Sequence, residues 1–156
     1  MNYPYKRTLV LIGALVLFST SVVLAQNTRK PEIGKPAVVE NPVRHSAAYA
    51  EMLLLRTELD AEIEALAIDY TDEYPKLKEG RFKLALVKKE LDRLLAVKPA
   101  EVSKLTLALG KMMVRKVELD TDFWILKNKY NEEHPDVKRA KRRVEIFEAS
   151  IREVLG

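Results

Sequence analysis

The stretch Tyr70-Thr71-Asp72-Glu73-Tyr74-Pro75-Lys76-Leu77-Lys78 recurs sixty positions later as Tyr130-Asn131-Glu132-Glu133-His134-Pro135-Asp136-Val137-Lys138. The likeness runs outward in both directions, so that Met52 to Leu95 returns as Met112 to Leu155. Upstream, Glu58-Leu59-Asp60 reappears as Glu118-Leu119-Asp120, and Leu66 as Leu126. The two copies keep their apolar positions and the proline while their charges drift. That pattern marks a duplicated packing unit rather than a duplicated active site.

The chain has 156 residues, of which 47% are hydrophobic and 32% charged, with five glycines, one tryptophan and no cysteine. A composition rich in Leu, Lys, Glu, Arg and Ala is that of long amphipathic helices. Disulfide and thiol chemistry are excluded, as is a lipoprotein leader, which needs a cysteine at its cleavage point. The formal charge of +4 is too small to argue for nucleic acid. Its distribution says more. Residues 46–75 carry eight acids against one arginine, whereas residues 76–98 carry eight bases against three acids, as expected of neighbouring segments that lie against each other.

Between Ser46 and Gly156 the only prolines are Pro75, Pro99 and Pro135, which divide the body into four segments of helical length. Apolar residues recur in steps of three and four. The first segment offers Met52, Leu55, Leu59, Ile63, Leu66 and Tyr70, and the third Leu105, Leu109, Met112, Leu119, Phe123, Leu126 and Tyr130. The second and fourth follow the same rule through Leu77, Leu84, Val87, Leu91 and Val137, Val144, Phe147, Ile151. This spacing predicts coiled-coil-like packing. A proline inside a helix costs about 3 kcal/mol, but at the first turn of a new helix it costs almost nothing. The expected fold is therefore all-α: two tandem antiparallel hairpins, 46–98 and 99–156, turning at Tyr70, Tyr74, Pro75 and at Tyr130, His134, Pro135. A continuous helix kinked at each proline is the alternative. In the hairpin, Tyr70 is expected opposite Gly80 and Tyr130 opposite Ala140. Leu53, Leu54 and Ile68 widen the first stripe, and Met113, Val114, Val117 and Ile125 the third. Those helices are expected to touch more than one neighbour, in a four-helix bundle or with a second subunit.

Ahead of the body, Met1 to Ala25 has the three parts of an export signal. Lys6 and Arg7 start it, Thr8 to Phe18 is the apolar run, and Val23-Leu24-Ala25 precedes the expected cleavage point. Residues 26–45, with Pro31, Gly34, Pro36 and Pro42, read as an extended tether. The expected location is the periplasm or cell envelope, with membrane contact only if the leader is retained.

No residue pattern asks for an enzyme, a metal or a cofactor. His45 and His134 lie far apart with no shared spacing to acids, and there is neither a nucleophile elbow nor a glycine-rich phosphate loop. Two features are candidate contacts. Trp124, beside Phe123, sits where it either flanks the seam or anchors a partner. The basic run Lys138, Arg139, Lys141, Arg142 and Arg143 is either a solvated helix face or a contact for an anionic polymer.

Tyr130-x-x-x-His134-Pro135-x-Val137 followed by heptads resembles a motif in the coiled-coil region of bacterial polysaccharide chain-length determinant and exopolysaccharide-export proteins. The resemblance covers about eight residues, with a degenerate copy from Tyr70 to Leu77, and implies an envelope-facing helical segment that packs into oligomers. Those proteins carry a further membrane-spanning helix near their C-terminus, whereas this sequence ends in an amphipathic segment. The expected function is a non-enzymatic scaffold or assembly accessory in the envelope. A periplasmic holdase chaperone is the second expectation, and an anionic-polymer-binding protein the third.

Overall fold

The computed structural model describes residues 41–156. The leader expected over 1–25 and the tether residues 26–40 lie outside the described residues. Four helices fill the rest: α1 (Ala47–Asp69), α2 (Pro75–Leu95), α3 (Leu107–Lys129) and α4 (Pro135–Leu155). Two 3₁₀ turns, Pro42–His45 and Pro99–Lys104, precede α1 and α3. The packed body begins ahead of Ser46, because Val43 in the first of these turns is fully buried. No strand occurs among the described residues.

The sixty-residue repeat is visible in how the helices start and stop. Ser46 accepts a hydrogen bond from the Tyr49 N–H at 3.2 Å, and Thr106 does the same for Leu109 at 3.3 Å. Each hydroxyl satisfies one of the donors that a helix N-terminus leaves unpaired. At the far ends, Tyr70 and Tyr130 take extended backbone (φ −124°, ψ 149° and φ −131°, ψ 159°) and end α1 and α3. The chain re-enters helix with Pro75 and Pro135 in the first turn, where a missing N–H leaves no bond unmade. Hairpins result, not kinked rods.

The aromatic residues of the turn do something the sequence did not suggest. Tyr70 stacks on Tyr74 with ring centroids 4.0 Å apart, and Tyr130 stacks on His134 at 4.2 Å. The expected pairing of Tyr70 with Gly80 is not formed. Gly80 instead faces Ile63, whose Cγ1 would lie 3.1 Å from an added methyl group. Ala140, at the equivalent place in the second hairpin, lines a groove with Asp122 and Leu126 of α3. The tyrosine has already left the helix, so its flattest near neighbour is the ring four residues on.

Ion pairs close both turns. Lys78 pairs with Glu73, and the repeat-equivalent Lys138 with Glu133 at 2.5 Å. Arg81 reaches Asp72 at 2.6 Å, and Lys127 reaches Glu132 at 2.9 Å. The hydrogen bonds from Arg81 and Lys127 hold the Asp72 and Glu132 carboxyls below their ordinary pKa values.

The hairpins do not form a square bundle. α3 packs against α1, α2 and α4, while α1 and α4 share no substantial contact. The reason lies at Gly110, which is buried against α1. A methyl group there would come within 2.8 Å of the Ala48 Cα and 3.0 Å of the Glu51 Cβ. Nearby, the Ala48 N–H donates to the Leu105 carbonyl at 3.3 Å. Two small residues let α1 and α3 approach closely and run side by side in the same direction. α2 sits over them, with Phe82 stacked on Trp124 at 4.7 Å. The main core gathers where the helix starts meet the ends of α2 and α4. Met52, Val87, Leu94, Leu109, Met113, Val117 and Ile151 are all fully enclosed there.

Gly110→Ala should therefore destabilise the fold by about 1–3 kcal/mol, because the nearest obstructing atom, the Ala48 Cα, is backbone and overpacking outweighs the gain of roughly 1 kcal/mol in helix propensity. Gly80→Ala meets only a flexible Ile63 side chain and should be close to neutral. Urea unfolding followed by circular dichroism measures both.

Candidate functional site

Buried charge forms the first notable feature. Lys116, on α3, donates to Glu90 Oε1 of α2 at 3.0 Å and to Asp120 Oδ2 at 2.9 Å, and lies 3.6 Å from Glu148 of α4. Arg93 of α2 donates to Glu148 at 3.2 Å and stands 3.6 Å from Glu90 Oε2, while Arg152 lies 3.4 Å from Glu148. Glu90 is only 3% exposed and Lys116 8%. These side chains floor an open groove of about 600 Å³ between α2 and α4. They join three helices through charge where side-chain packing between α2 and α4 is sparse.

Burial alone would lower the Lys116 pKa, but hydrogen bonds to the Asp120 and Glu90 carboxylates outweigh it, and the pKa is raised. The amine thus stays an ammonium at neutral pH and offers no lone pair for nucleophilic or base chemistry. One carboxylate oxygen, Glu90 Oε2, is buried without a hydrogen bond. It lies closest to Arg93, as an electrostatic rather than a hydrogen-bonded neighbour.

The second feature is an open apolar face. Five large aliphatic side chains on the helices, Leu54, Ile68, Leu107, Ile125 and Ile146, are between 37% and 83% exposed. Helical geometry puts them all on one side of the molecule. At about 100° per residue, positions nine apart point in opposite directions. Leu54 is nine residues before Ile63, which packs on α2 at Gly80. Leu107 and Ile125 are each nine residues from Lys116, which pairs with α2 through Glu90. Ile146 lies roughly opposite Glu148, which reaches Arg93 of α2. α1, α3 and α4 therefore make a layer with α3 in the middle. α2 covers one side of it, and the five aliphatics stand on the other, interspersed on α3 with the charged Lys111, Glu118 and Asp122. On α1 the stripe also includes the exposed Ala47, Ala61 and Ala65.

No family model, no curated protein and no solved structure matches the chain. Its surfaces have to speak for themselves. Among the described residues no three His, Cys, Asp or Glu side chains are placed to hold a metal ion, and no helix is long and apolar enough to cross a membrane.

The residues singled out from the sequence fall in different places. Trp124 is engaged inside the chain, half-buried and stacked on Phe82. His134 caps α4, its Nδ1 accepting from the Asp136 N–H at 3.2 Å. The basic run is split between the two sides of α4. Arg139 and Arg143 line a groove with Ile125 on the open face, whereas Lys138 and Lys141 line one with Phe123 on the other side. Lys138 pairs with Glu133, Arg139 with Asp136 and Arg142 with Glu145. The α2–α3–α4 charge cluster escaped sequence reasoning because single charges on amphipathic helices usually mark solvated faces. The available signal was Lys116 itself, a cation set at helical spacing among Met112, Met113, Val117 and Leu119.

Lys116→Met should cost about 3–5 kcal/mol, since it strands Glu90 and Asp120 in a poorly hydrated place, and Glu90→Leu in the same chain should recover much of that loss. The raised pKa fixes the pH dependence. The ammonium's contribution is fully present below the ordinary lysine value of 10.5 and is lost as pH rises through the higher folded value. The parent chain should therefore lose stability in the strongly alkaline range, and Lys116→Met should lack that loss. Urea midpoints across an alkaline pH series test it.

Proposed function

We propose that this chain is a non-enzymatic helical scaffold or assembly accessory, displayed in the bacterial envelope and linked to polysaccharide export. It works by docking protein on its open face. The single observation that carries the reading is the alignment of Leu54, Ile68, Leu107, Ile125 and Ile146 on the side of the layer that α2 leaves uncovered. Exposed aliphatic side chains gathered on one side of a small packed body favour an interaction site over solvated decoration. Full burial of one such side chain contributes about 1.5–3 kcal/mol, less for those already half-buried, and a partner's association cost is set against their sum. The export-signal pattern over residues 1–25 and the Tyr130-to-Val137 resemblance support the location and the process.

A second reading is a periplasmic holdase that shelters unfolded envelope proteins. It draws on the same apolar face, but a rigid layer presenting separate aliphatics suits one shaped partner better than many unfolded ones. Binding of an anionic polymer is less favoured, because α4's basic run is divided between opposite sides and largely ion-paired.

A client-aggregation assay separates the first two. The scaffold reading expects no suppression of aggregation of a heat-denatured client at equimolar chain, whereas suppression at that ratio would favour the holdase. Fractionation of expressing cells should place the chain in the envelope, shortened to begin near Gln26. Retention in the cytoplasm at full length would overturn the location.

A further inference from the structure

We infer that the turn between α3 and α4 is an acid-sensitive hinge: protonation of His134 breaks the cap on α4 and loosens its first turn, while the twin turn between α1 and α2 stays closed. The inference draws neither on the open face nor on any partner.

The duplication supplies the comparison. Tyr74 and His134 stand at equivalent positions with nearly the same backbone, φ −63°, ψ 126° and φ −61°, ψ 134°. Each N–H donates back across its turn, to the Thr71 carbonyl at 2.9 Å and to the Asn131 carbonyl at 3.1 Å. Each ring stacks on the tyrosine four residues earlier, and each turn carries a lysine–glutamate pair. They differ at the cap. Tyr74 offers α2 no side-chain hydrogen bond, whereas His134 Nδ1 accepts from the Asp136 N–H at 3.2 Å.

That bond fixes the state of the ring. A backbone amide can only donate, so Nδ1 must hold a lone pair and the ring's single proton must sit on Nε2. Imidazole is the side chain that ordinarily takes up a proton between pH 5 and 8. A proton added to Nδ1 turns the acceptor into a donor and sets two N–H groups against each other. The ring must then swing away, and one of the donors that a helix start leaves unpaired loses its partner. The new cation also stands at the positive end of the α4 dipole. The cap is thus present in the unprotonated state and lost as pH falls.

The surrounding charges pull both ways. Asp136 Oδ2 lies 3.7 Å from Nδ1 and would attract the cation, but Arg139 already engages this carboxylate through Oδ1. Glu133, next in the turn, is held by Lys138, and Glu132 by Lys127. Lys129 lies 5.3 Å from the centre of the Tyr130 ring and opposes a second positive charge nearby. The His134 side chain is 35% exposed, so an ion pair gained with Asp136 is screened by solvent and among the weaker contributions. The cap and dipole losses act together against it. Asp136, Arg139 and Ala140 line a groove with Ile125, so the turn that acid loosens is one wall of that groove.

Nuclear magnetic resonance of the whole chain tests this, with His45→Gln assigning the second imidazole. Long-range proton–nitrogen spectra near pH 8 should show His134 with Nδ1 unprotonated and Nε2 carrying the proton. On acidification to about pH 5, the Asp136 amide should lose protection against solvent exchange in step with the His134 ring. The loss should be about fivefold, the effect of a typical cap. The Lys76 amide, its twin, should show no such step. His134→Asn caps without titrating and should keep the start of α4 protected at both pH values. His134→Tyr should leave the Asp136 amide unprotected at both.

A ring protonated on Nδ1 near pH 8 overturns the inference. So does an Asp136 amide indifferent to the ring's titration, a Lys76 amide that follows it, or a pH response that survives in His134→Asn. Asp136 and Lys76 are compared within the unaltered chain, so the test stands even if neither variant folds.

Discussion

The close approach of α1 and α3 at Ala48 and Gly110 sets the rest of the architecture. With no side chain on Gly110 and only a methyl on Ala48, the two helices sit nearer than ordinary packing allows, and they do so in parallel. α2, antiparallel to both, falls into the groove above them. α4 is held to the far side of α3 and cannot reach α1. A square bundle would bury all four inner faces equally. This arrangement gives α3 three neighbours and leaves one side of the layer uncovered.

The buried charge cluster follows from the same geometry. Because α4 meets α2 only at a distance, the space between them is bridged by long side chains. Lys116, between Glu90, Asp120 and Glu148, links three helices with a single ammonium. Such a group contributes little net stability compared with apolar packing, yet it costs a great deal when one member is removed. Its effect is register, since it fixes the height of α4 relative to α2 and α3. The repeat-equivalent pair in the first copy, Arg56 with Asp60 at 3.7 Å, has no third helix to join and remains half-exposed. Duplication supplied a cation and an aspartate at equivalent positions, and packing gave the two pairs different roles.

Much of the fold was legible in the chain. Apolar steps of three and four located all four helices, and prolines 75 and 135 marked where two of them begin. The widened stripes on the first and third segments signalled helices with more than one neighbour. Their fates differ, however: Met113 and Val117 are fully enclosed, whereas Leu54, Ile68 and Ile125 are not. Periodicity reports how wide an apolar face is, but it does not say which part a neighbour will cover. The Tyr70–Tyr74 and Tyr130–His134 stacks were missed for a related reason, since ring contacts across a turn depend on backbone angles that no spacing rule encodes.

From its sequence alone the chain is a duplicated pair of helical hairpins with turns at Tyr70–Pro75 and Tyr130–Pro135, because helix breaks and apolar periods are local properties of the chain. Which helix stands at the centre, where Lys116 finds its carboxylates and which aliphatics stay exposed were decided only when Gly110 met Ala48. Those outcomes depend on distances between segments sixty residues apart, set by the size of two side chains and invisible until the hairpins pack.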